Sequence, residues 1–416
     1  MSQALERLSL PAKQLLSTFC FIGIIQMIGL LMRLQFIAPI PGFNYTFFLH
    51  AHSHVALLGW VHALLALLLP RIFVKDHPNN YRPYNRLFWV SQFSVLGMLI
   101  SFPLQGYALV SISFSTFFLF CSYRLAYLLW KDTAHCSSPA YKLLRASLFF
   151  LVFSSIGPWL MGPIMALKLG KTPYHLAIYF YLHFQYNAWF TLACTALGLR
   201  YFENKSAVAP HMPKAVSLII WSTLPTVLLS ALWLEPPLWV YGVSLGGALM
   251  QAYGFFLAWR AIPELRLSAL SRGSLKHWST RLFYLSAVCL MAKILLQLFT
   301  AFPYFAQLAA QQRPLVIFYL HLVLLGGISG FLIAYLKQYC FPRISSSWLS
   351  LGFWLYLLGF LSSEGLLLYQ GLCQGLNQPV FAAFYVSLFG CSLIIPIGFF
   401  AIGSGLLTPS LKRIPS

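Results

Sequence analysis

The chain has 416 residues, of which 59% are hydrophobic and only 8% charged, giving a mean hydropathy of +0.76. A water-soluble domain carries about a quarter charged residues and cannot hide this much apolar surface, so a lipid bilayer is the fitting partner and solvent. The net charge of +20 does not indicate nucleic acid, because the basic residues sit in short segments between apolar runs rather than on one phosphate-binding face. The eight cysteines form no CxxC pair, and Cys20, Cys121, Cys194, Cys289 and Cys391 lie inside apolar runs, where they read as small buried hydrophobes rather than disulfide or zinc partners.

A spanning helix needs about 20 apolar residues. Twelve runs qualify: 14–37, 48–73, 87–104, 106–130, 143–168, 175–200, 214–233, 237–260, 280–310, 314–338, 346–370 and 378–405. The first has no small-residue cleavage site after it and is expected to stay as a helix. A tight turn near Gly106 divides the third from the fourth. Clusters such as Asp76-His77-Pro78-Asn79-Asn80 and Glu203-Asn204-Lys205 read as loops. The expected fold is therefore an all-α integral membrane bundle of twelve helices, a single polytopic domain over residues 1–416. With both termini cytoplasmic, 22 of the 27 basic residues fall in cytoplasmic segments and four (Arg33, Lys168, Lys171, Arg313) in outer ones, while Lys293 lies inside a helix. That bias supports both the count and the orientation.

Seven histidines fall within the runs: His50, His52, His54 and His62 in the second, His175 and His183 in the sixth, and His321 in the tenth. Ionisable groups inside a bilayer are functional candidates by default. His54, His183 and His321 each lie about six to eight residues below the outer end of their run, roughly 9–12 Å deep at 1.5 Å per residue. Imidazoles from three helices at one depth suggest a metal or heme site in the outer half, with His50 one turn from His54 on the same face. The plainer reading is hydrogen bonding between neighbouring helices. His52 points to nearly the opposite face, and His62 reads as a packing residue.

The stretch Leu31-Met32-Arg33-Leu34-Gln35-Phe36, then Pro39 to Gly42, then His50-Ala51-His52-Ser53-His54-Val55-Ala56-Leu57-Leu58-Gly59-Trp60 resembles the helix 1 to helix 2 region of the heme–copper oxidase catalytic subunits (subunit I), and most of all their nitric oxide reductase branch. The resemblance implies twelve helices with cytoplasmic termini, a bacterial cytoplasmic membrane and a cytochrome c-type or quinol electron donor. It also implies a low-spin heme b between His54 and His321, with Arg33 either pairing with a heme propionate or snorkelling to the interface.

The pattern departs from that family at the second metal site. Where the oxidases have a further helix-10 histidine, this chain has Tyr319, and the seventh run has no histidine to join His183. Copper or non-heme iron is therefore not expected, and catalysis as an oxidoreductase is left open. Tyr319 reads either as a phenolate ligand to a high-spin heme or as a packing residue. The segment from Tyr181 to Trp189 is too polar for a lipid face and should point inward, making a pocket from His183, Gln185, Tyr186 and Asn187. Lys293 and Glu364, the charges inside the runs, lie at different depths and are not expected to pair. Two other functions fit the topology. One is a nitric-oxide-response heme membrane protein, whose family shares an outer His-Ala-His stretch. The other is a secondary transporter, although no internal repeat or matched broken helices favour it.

Overall fold

In the computed structural model, residues 10–74, 81–205, 208–262, 277–341 and 347–411 are described, and they contain helices and turns without a strand. The helices are α1 (Ala12–Leu34), α2 (Tyr45–Phe73), α3 (Arg82–Gln105), α4 (Leu109–Asp132), α5 (Pro139–Ala166), α6 (171–205), α7 (Met212–Leu234), α8 (Leu238–Arg260), α9 (Trp278–Thr300), α10 (Arg313–Tyr339), α11 (Ser347–Gly375) and α12 (Phe384–Leu411). Eleven of them are long and apolar enough to cross a membrane. The exception is α6, a continuous helix whose His175, His183, Gln185 and Asn187 dilute its apolar character. Eleven of the twelve expected spans therefore meet the apolar length of a crossing helix, and α6 meets the length without the apolarity.

Two further expectations change. The run 280–310 is two helices, because the chain turns at Ala301–Phe302 and a short connector helix, Pro303–Gln311, begins on a proline that suits a helix start. Glu203-Asn204-Lys205 is the last turn of α6 rather than a loop, held by Glu203, which accepts from the Ala140 N–H (2.9 Å) and from Ser138 (2.7 Å). The Asp76–Asn80 loop lies outside the described residues. The turn at Gly106 is as expected.

The packing repeats every fourth helix. Within α1–α4, α5–α8 and α9–α12, each helix lies against the next; α4 then meets α5, α8 meets α9, and α12 closes onto α1. The second helix of each group turns to the centre. There α2 packs on α6, α6 on α10, and the Trp60 indole of α2 donates to Ser329 Oγ of α10 at 2.8 Å. Burial follows from that position: 83% of the most apolar window of α2 is buried, against 44% or less in the other ten spans.

The same three helices share a second feature. Each loosens into an eight-residue π-helical stretch: Val55–His62 in α2, His183–Phe190 in α6 and Leu322–Ser329 in α10. A π turn displaces backbone carbonyls from their i+4 partners, and it is frequent at functional sites. Two of the displaced carbonyls are satisfied by hydroxyls five residues on, Thr191 to Tyr186 O (2.6 Å) and Ser329 to Leu324 O (2.7 Å).

Candidate functional site

The three histidines that share one depth in the sequence each stand at the start of a π stretch, since His54 and His321 immediately precede theirs and His183 opens its own. What each can do depends on which ring nitrogen is already engaged. A backbone carbonyl only accepts, so the imidazole nitrogen facing one carries the proton and the other nitrogen carries the lone pair.

His52 Nδ1 lies 3.0 Å from the Ile25 carbonyl of α1, and His321 Nδ1 lies 3.1 Å from Glu364 Oε1 of α11. The neutral Nδ1–H form of either ring presents an Nε2 lone pair, and neither Nε2 has a hydrogen-bond partner among the described residues. The two side chains are within electrostatic reach of each other, and Arg33 is within reach of His52. The approach of His52 to α1 depends on Gly29, where an added Cβ would stand 3.1 Å from His52 Cε1. Behind His321 runs a polar chain. Arg33 Nη1 donates to Ser363 Oγ (2.9 Å), Ser363 Oγ donates to Glu364 Oε1 (3.4 Å), and Glu364 holds His321. Glu364 is 3% exposed, and its Oε2 is buried with no hydrogen-bond partner among the described residues.

The other histidines are differently committed. His54 Nδ1 donates to the His50 carbonyl (2.9 Å), and its Nε2 accepts from the Tyr107 hydroxyl (3.2 Å), so the ring faces the α3–α4 turn. His183 donates through Nε2 to the Thr223 carbonyl (3.0 Å) and accepts at Nδ1 from the Asn187 amide (3.1 Å), so both nitrogens are used. His62 is buried between Phe118 and Trp189. The matched depth of His54, His183 and His321 thus does not give them shared partners; the α2 histidine within electrostatic reach of His321 is His52. Its signal in the sequence was present but inverted, because the face opposite His50 and His54 is the one turned to α1 and the interior.

The stretch His183–Phe190 is buried throughout, and Gln185 Nε2 donates to Ser154 Oγ at 3.0 Å. Tyr319 packs edge-on against Tyr186, with ring centroids 6.1 Å apart. Lys293 is 1% exposed and donates to Gln251 Oε1 (2.9 Å) on α8, while Glu364 engages His321, so these two charges have separate partners.

No protein-family model and no curated protein matches this chain. The site must be judged on its own chemistry. Among the described residues, no group of three or more His, Cys, Asp or Glu side chains is arranged to hold a metal ion. A group bound by two opposed imidazoles asks for less: two Nε2 lone pairs, anchored Nδ1–H groups behind them, and a cation for its acidic edge. His52 and His321 supply the two imidazoles, the Ile25 carbonyl and Glu364 the acceptors behind them, and Arg33 the cation. A binuclear centre at His183 asks for a free imidazole nitrogen there, and that residue does not fit.

Proposed function

We propose that this chain is a heme b-binding integral membrane protein related to the catalytic subunits of the heme–copper oxidases and nitric oxide reductases. In this reading α6 is the twelfth span, and the chain works in electron transfer or in handling NO or O2 without a complete binuclear centre. The observation that carries the proposal is the pair His52 and His321. Each has Nδ1 against an oxygen acceptor, which in the neutral ring leaves Nε2 its lone pair, and the two stand on helices tied together by Trp60 and Ser329. Buried ligating histidines characteristically donate their second nitrogen to a carbonyl or carboxylate, which fixes tautomer and ring orientation.

A heme held by His52 and His321 would supply one-electron transfer, since both imidazoles would be committed to it and no site would be left for a substrate. The protein's own part is positional. The Ile25 carbonyl and Glu364 set the two rings, Gly29 leaves room for the first, and Arg33 offers a planar fork for a carboxylate edge. A carboxylate behind His321 makes that imidazole a stronger donor and favours a ferric centre.

The test is pigment analysis of protein made under heme-replete conditions. Pyridine hemochrome should report heme b, and a reduced-minus-oxidised spectrum should show a six-coordinate low-spin centre. Colourless, folded protein would dismiss the reading and leave a transporter as the better one.

A further inference from the structure

The His-Ala-His-Ser-His stretch has two faces, and the site above uses one. His50 and His54 lie one helical turn apart on the other, the spacing at which two side chains on a helix meet. The third member is Tyr107, from the turn between α3 and α4. Its hydroxyl is 3.2 Å from His54 Nε2, and its ring centroid is 4.5 Å from that of His50. We propose that His50, His54 and Tyr107 form a second site, for a divalent late first-row metal ion, standing apart from the His52–His321 pair and independent of what that pair binds.

The donor set is suited to this. The His54 Nε2 lone pair accepts from the Tyr107 hydroxyl, and a metal ion can replace that bond with both atoms as ligands. That exchange is closed to His183, whose Nδ1 partner is the Asn187 amide nitrogen with no lone pair to offer. His50 is half-buried and makes no hydrogen bond among the described residues, so its nitrogens are available. Two imidazoles and a phenol oxygen are the nitrogen and oxygen ligands that late first-row divalent ions prefer, with water completing the shell at a partly exposed position.

The turn is also locked in place over the histidines. Gly106 has φ of 62°, and a Cβ on it would stand 2.4 Å from Phe47 Cε1 of α2, so only glycine lets the turn sit this close. Ser111 Oγ donates to the Gly106 carbonyl at 2.6 Å, and the buried Phe102 ring lies 4.5 Å from the His54 ring. The three donors are therefore held together before a metal arrives, which lowers the ordering cost of binding.

The experiment uses full-length protein purified without a polyhistidine tag, titrated with Zn2+ by equilibrium dialysis and elemental analysis. Wild type should take up one tightly bound Zn2+ per chain more than His50→Ala or His54→Ala. Tyr107→Phe should weaken uptake by about tenfold, and His52→Ala should leave it unchanged. Heme content, measured separately by pyridine hemochrome, should be the same in His50→Ala as in wild type. Because Tyr107 lies in an exposed turn, its Phe variant tests the site even if a histidine variant folds poorly. Equal Zn2+ uptake by wild type, His50→Ala and Tyr107→Phe would overturn the proposal, as would loss of uptake in His52→Ala alone.

Discussion

At the scale of single residues, the proposed heme site rests on which imidazole nitrogen is left with a lone pair. His52 and His321 are anchored through Nδ1 by the Ile25 carbonyl and by Glu364. Replacing either with Ala should abolish the low-spin heme spectrum, while His183→Ala, which loses bonds to Thr223 and Asn187, should keep it. His54→Ala should also keep it, since that ring engages Tyr107. Loss of the signal in His54→Ala but not in His52→Ala would restore the His54–His321 pairing that the resemblance implies. Glu364 permits a second prediction at this scale. Glu364→Gln keeps an acceptor for His321 Nδ1–H but removes the carboxylate's charge, so the ligand becomes a weaker donor and the midpoint potential should rise with heme still bound. Glu364→Ala should lower heme occupancy as well, because the ring is no longer fixed. A potentiometric titration separates the two, and an unchanged potential in Glu364→Gln would remove Glu364 from the heme's surroundings.

At the scale of elements, close helix approaches set the frame for the site. In α11 and α12, a Cβ on Gly398 would lie 2.5 Å from the Tyr356 amide nitrogen, and one on Gly359 would lie 2.9 Å from that of Ile395. Small residues let two backbones pack this tightly in a membrane, where packing rather than hydrophobic exclusion drives association. Gly398→Leu should separate the helices and lower the apparent melting temperature in detergent, with an overpacking cost of about 1–3 kcal/mol. Gly390→Leu, on the same helix with nothing among the described residues within 4 Å of its added Cβ, is the matched control and should melt like wild type. α11 also carries Ser363 and Glu364, so Gly398→Leu should reduce heme occupancy more than the control does.

At the scale of the whole molecule, the orientation of the bundle decides which side the site faces. Basic residues concentrate in the segments assigned to the cytoplasm, so a reporter fused after Ser138 should behave as cytoplasmic and one fused within 371–377 as external. The reverse pattern would put the His52–His321 layer in the cytoplasmic half and remove the geometric support for an oxidase-like arrangement.

The sequence by itself determined the solvent, the helical class and most helix bounds. Those follow from apolar length and charge placement, which a bilayer reads one segment at a time. It also marked the helices that matter, because polar groups are costly inside a membrane and so stand out wherever they occur. It did not determine which side of α2 faces inward, since His50, His52 and His54 cover both sides of one helix and periodicity alone ranks neither. It gave no sign of the three π stretches, whose i+5 bonds leave hydrophobic content unchanged. Only tertiary structure decided that Gly29 admits His52 to α1, that Glu364 belongs to His321 rather than Lys293, and that Tyr107 closes over His54. Each of these is a contact between segments far apart in the chain. Such contacts depend on how helices rotate and pack against one another, and no single helix's composition carries that information.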